Sequence, residues 1–148
     1  MTAKEYLEQA RYLDQRINSK LTQVESLRSL ATRVTTVYSD MPHSPTPDNH
    51  KLEKIIAKIV DLENEIDTDV DSLVDLKKEI MNAVNAVEND KYRVLLEMRY
   101  LSYQTWEQIA VAMDCDIRQV YRLHGHALEK FSFEVFSVIM LSVTSCGS

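Results

Sequence analysis

Two long stretches of this chain repeat apolar residues at alternating steps of three and four, and each breaks the pattern once with a charge, the two charges being opposite in sign. The first seam runs through Ala10, Leu13, Ile17, Val24, Leu27, Ala31, Val34 and Tyr38, with Lys20 in the remaining slot. The second runs through Leu52, Ile55, Ile59, Leu62, Ile66, Leu73, Leu76, Ile80, Ala83 and Val87, with Asp69 in the gap. Such spacing keeps one narrow stripe facing a partner helix over many turns, which is the requirement of a coiled coil. Folding the chain back on itself sets Tyr38 beside Leu52, Leu27 beside Leu62, Ile17 beside Leu73 and Ala10 beside Ile80. The same register sets Lys20 beside Asp69, and a paired charge in a seam can fix register where a lone one would be strongly unfavourable. The pair therefore reads as a register lock; the alternative is that both side chains reach solvent from a loosely packed seam.

Two glycines and three prolines in 148 residues leave little material for turns. The prolines sit together in SDMPHSPTPDNH, residues 39–50, which is the expected hairpin loop, with His43 and His50 exposed in it. Helix one should start at Thr2, capped reciprocally with Glu5, and run to about Tyr38, a rod of about 55 Å. Helix two should run from about Asn49 to Val87, and Glu88-Asn89-Asp90 offers a stop and a new cap. The fold class expected is all-α: a long antiparallel coiled-coil helical hairpin over 1–88, a small helix-turn-helix bundle over 89–131, and an apolar tail over 132–148 that either extends the last helix or is disordered.

The start carries no apolar stretch of a secretory signal, and Val135 to Val143 is far shorter than the roughly 20 residues that cross a bilayer. A cytoplasmic protein without membrane attachment is expected. Cys115 and Cys146 are too few and too irregular for a disulfide framework or a zinc site, so both read as ordinary thiols. No glycine-rich phosphate loop, metal-ligand spacing or nucleophile with a base is present, and neither enzyme activity nor a cofactor is expected. The net charge of −6 lowers the expectation of nucleic-acid binding, but the acid is concentrated before Glu88. Asp61, Glu63, Glu65, Asp67, Asp71 and Asp75, together with Asp69, have no lysine or arginine among them. They form either a solvated face or a contact surface for a basic partner.

From Asn89 the long stripe gives way to short helices. One spans Tyr92 to Leu101; a second, capped by Thr105, is built on Trp106, Ile109, Ala110 and Met113. A third, capped by Asp116, turns Val120, Leu123, Ala127 and Leu128 inward. Two short helices joined by a three-residue turn match a helix-turn-helix, with Asp114 at the turn position that favours the left-handed conformation. Ile117, Arg118, Gln119, Tyr121, Arg122 and His126 then face outward. Trp106 reads as core. His124 and His126 do not share a face as metal ligands should, and both are expected at the surface.

The run RVLLEMRYLSYQTWEQIAVAMDCDIRQVYRLHGHALEKF resembles region 4 of bacterial RNA polymerase sigma factors. The shared pattern is the Leu-x-x-Arg-Tyr helix end, the Trp-x-x-Ile-Ala helix, the Val-Tyr-Arg recognition helix and the closing Ala-Leu-x-Lys. The whole chain, hairpin included, is similar to an uncharacterised family of small proteins from prophages and integrated elements of Gram-positive bacteria. The resemblance implies a sequence-specific transcription regulator that binds double-stranded DNA, with the hairpin as a rigid arm for dimerisation or for a partner such as RNA polymerase. In a helix-turn-helix the start of the recognition helix enters the major groove, which makes Arg118, Gln119, Tyr121 and Arg122 the base-contact candidates. Gln104, Thr105, Gln108, His126 and Lys130 are the phosphate-contact candidates. The rival expectation is a non-catalytic interaction protein that docks on polymerase or another regulator through its acidic stretch without reading bases.

Overall fold

The computed structural model describes residues 1–39 and 49–146, and the described residues form helices joined by short turns, with no strand. Two long helices come first, α1 (Ala3–Ser39) and α2 (Asn49–Asn85), followed by α3 (Asp90–Leu96), α4 (Trp106–Ala112), α5 (Ile117–Phe131) and α6 (Ser137–Cys146). The loop expected over 39–50, with its prolines and His43, lies over 40–48 outside the described residues. His50 is exposed, on the first turn of α2.

The chain divides into two compact units, Leu13–Ser72 and Met1–Tyr12 with Leu73–Ser148. In the first, α1 and α2 run antiparallel. Ile17, Val24, Leu62 and Ile66 are buried, while Leu27, Ala31, Val34, Leu52, Ile55 and Ile59 are half-buried. The apolar residues that fall off the seam, Leu21, Leu30, Ile56, Val60 and Val70, are exposed. Lys20 Nζ donates to Asp69 Oδ2 at 2.5 Å and lies 3.6 Å from Glu65, and Arg28 pairs with Glu63. At 16% and 18% side-chain exposure, Lys20 and Asp69 are drawn into the seam and face each other there.

The second unit holds the larger core. Tyr6, Leu7 and Ala10 from the start of α1 join Ile80, Ala83, Val84 and Val87 with Leu96, Tyr100, Ala127, Phe131, Val135 and Phe136. Tyr6 stacks on Phe131 with ring centroids 6.2 Å apart and donates its hydroxyl to Glu79 at 2.9 Å. The entry to α1 is the expected reciprocal cap, Thr2 N–H to Glu5 Oε2 at 2.8 Å and Glu5 N–H to Thr2 Oγ1 at 3.2 Å.

Two helices widen where the sequence gives no warning. After α3 the backbone opens into a π-helical stretch, Glu97–Leu101, closed by Ser102 N–H bonding Glu97 O. The same happens at Ser132–Phe136, which joins α5 to α6 and brings both Val135 and Phe136 onto the core. Each widened turn carries one residue more than an α-turn and so resets which face comes next. Of the two expectations for the tail, extension and disorder, the described residues show extension: it is helical to Cys146.

Candidate nucleic-acid interface

Thr105 begins α4 with a full capping box: its hydroxyl oxygen accepts from Gln108 N–H at 3.2 Å, while Gln108 Oε1 accepts from Thr105 N–H at 2.9 Å. The Thr105 hydroxyl proton and the Gln108 amide hydrogens stay available to an incoming acceptor. At the other end, Asp114 N–H reaches Val111 O and Cys115 N–H reaches Ala110 O, the pair of bonds that defines a Schellman stop. Asp114 stands at φ 53°, the left-handed position such a stop requires, and an aspartate fills it more readily than a branched residue would. Asp116 then caps α5 by accepting from Gln119 N–H at 2.9 Å.

A small core holds these helices together: Leu95, Ile109, Ala110 and Val120, with Met98, Trp106, Met113, Cys115 and Leu123 against it. Opposite that core, Arg118, Gln119 and Arg122 are exposed on the first two turns of α5. Tyr121 is exposed too, yet its ring sits edge-on to Trp106 at 5.4 Å, which restricts it to one side of the helix. Ile117, expected outside, is half-buried.

The second helix position is fixed by a polar and aromatic cluster. The Arg99 guanidinium lies 4.2 Å from the Trp106 ring and donates to the Gln104 carbonyl at 3.0 Å. His124 is buried, not at the surface as its spacing from His126 suggested, because it shares the inner stripe with Val120, Ala127 and Phe131. Its Nε2 is 2.6 Å from the Tyr100 hydroxyl, and its ring is 4.6 Å from Trp106. Burial, then the charges of Lys4 and Arg99, push His124 down to about 4. It is therefore neutral near pH 7 and shares a hydrogen bond with the Tyr100 hydroxyl. Burial, with Glu8 nearby, raises the Tyr100 phenol, which keeps it protonated.

The remaining candidates are dispersed. Gln104 is half-buried, and its carbonyl is engaged by Arg99. His126 lies 3.9 Å from Glu129, and Lys130 is exposed beside Glu129 and Glu134. In the acidic stretch Glu63 and Glu65 meet Arg28 and Lys20, whereas Asp61, Asp67, Asp71 and Asp75 are exposed. Among the described residues no group of histidines, cysteines and carboxylates is placed to hold a metal ion, and no helix is long and apolar enough to cross a membrane. Arg99, Trp106 and His124 thus form a cluster that the spacing of these residues in the sequence does not announce.

Comparison with protein families matches residues 46–132 to a family described as a protein of unknown function, DUF1492. No curated protein and no solved structure matches the chain.

Proposed function

We propose that this chain, which belongs to the DUF1492 family, is a non-catalytic, sequence-specific DNA-binding transcription regulator of phage or mobile-element origin, in which α5 enters the major groove. One observation carries the reading. Arg118, Gln119 and Arg122 project from the first two turns of α5 directly after a capped, left-handed turn, with Tyr121 braced on Trp106. Arginine offers a bidentate match to a guanine edge and glutamine to an adenine edge, each good pair being worth roughly 1–3 kcal/mol of discrimination. The resemblance to sigma region 4 supports the same use of the helix, with RNA polymerase as the natural companion.

Selection of bound duplexes from a random pool should yield a shared element. Arg118→Ala and Arg122→Ala should each weaken that element by about 1–3 kcal/mol and relax the choice of base at one position. If both variants hold the selected DNA as tightly as the parent, the assignment of α5 as the reading helix fails. The interaction-protein reading draws on the exposed carboxylates of Asp61, Asp67 and Asp71. On that reading their conversion to asparagine lowers polymerase association, and the arginine variants leave it unchanged.

A further inference from the structure

Two grooves border α5, and their charges are opposite. Toward its C-terminal end, Tyr92, His126, Glu129, Lys130, Phe133 and Glu134 line one groove, in which a single lysine faces two carboxylates. Near the turn, the other is lined by Lys91, Asp114, Cys115, Gln119, Arg122 and Leu123, and here two cations face one carboxylate. Lys91 is exposed at the start of α3 and forms no ion pair among the described residues; the same holds for Arg122. Neighbouring Arg93 is different, since its guanidinium bonds the Val87 and Glu88 carbonyls and pairs with Asp90.

We infer that the groove by the turn is the path of one DNA strand's backbone, with Lys91 as its phosphate-holding residue. This rests on the reading of α5 given above. Lys91, Gln119 and Arg122 line the same groove, so a strand whose bases meet Gln119 and Arg122 has Lys91 beside it to hold its phosphates. The acidic groove repels the same strand. Lys130, beside Glu129 and Glu134, and His126, beside Glu129, are thereby set apart from the backbone path.

The inference is tested by fluorescence anisotropy with a short duplex of arbitrary sequence over a range of salt concentrations. Lys91→Ala should reduce the slope of log affinity against log salt by about 0.9, and weaken every sequence alike. Lys91→Arg should restore the slope, and Lys130→Ala should leave it unchanged. An unaltered slope in Lys91→Ala, while Arg118→Ala and Arg122→Ala weaken binding, overturns the role of Lys91 and leaves α5 as the reader. A parent protein that shows no salt-dependent binding overturns both. Lys91 is exposed, and circular dichroism confirms that its variants keep the parent helix content.

Discussion

His124 stands on the stripe Val120, His124, Ala127 and Phe131, and all four are buried. Those steps of four, three and four are legible in the sequence, and they place the histidine with the apolar residues around it, whereas its spacing from His126 excludes only a shared metal site. Spacing reveals which face a residue occupies; it does not reveal a partner, and the Tyr100 hydroxyl that makes a buried imidazole tolerable comes from another helix. The consequence is a pH dependence of defined sign. The folded His124 is held at about 4, against an ordinary 6.5 in the unfolded chain, so between these values the unfolded state takes up a proton that the folded state excludes. Stability from this group is complete above pH 6.5 and falls as the pH drops toward 4. Urea midpoints measured across that window should decline in the parent and decline less in His124→Gln, which retains a hydrogen-bonding partner for Tyr100. Matching curves for the two proteins would refute the buried neutral histidine.

At the scale of elements, what short-range chemistry decides could be read. Thr2 with Glu5, Thr105 and Asp116 all cap where their side chains and spacing suggest, since a cap needs only residues within one turn. Asp114 takes the left-handed turn for the same reason. The two π-helical stretches were not legible, because a single inserted residue leaves the local composition helical and shows only in which faces later meet the core. Helix α5 also contains a weakness. Gly125 is exposed within it, and a Cβ added there meets no atom within 4 Å. Gly125→Ala should therefore stabilise the protein by about 0.5–1 kcal/mol, read as a higher midpoint in thermal unfolding.

For the whole molecule, the seam residues were legible and the extent of the core was not. Every described seam position is buried or half-buried, because a three-four stripe over many turns admits one inward face. The change of spacing at Asn89 marks where the long stripe stops. It does not mark where packing stops, since Tyr6, Leu7, Ile80 and Val84 share a core with Tyr100 and Phe131. The ion pair between Lys20 and Asp69 gives a test of how the long helices find their alignment. Lys20→Leu alone should destabilise by about 1–3 kcal/mol, because Asp69 loses the partner that offsets its partial burial. Replacing both with leucine should recover that stability but release the register, giving more than one species in sedimentation. A single sharp species in the double variant would refute a register role. The core around Phe131 has a further consequence for how the protein comes into being. Tyr6 and Phe131 are separated by most of the sequence, so their contact closes a very long loop and forms only after α5 has been synthesised. Until then the first turns of α1 lack the ring on which Tyr6 stacks. A fragment beginning at Asn89 would expose Leu96, Tyr100 and Phe131 to water, so α5 is not part of a detachable module but the last piece of an assembly begun at the first turn of α1.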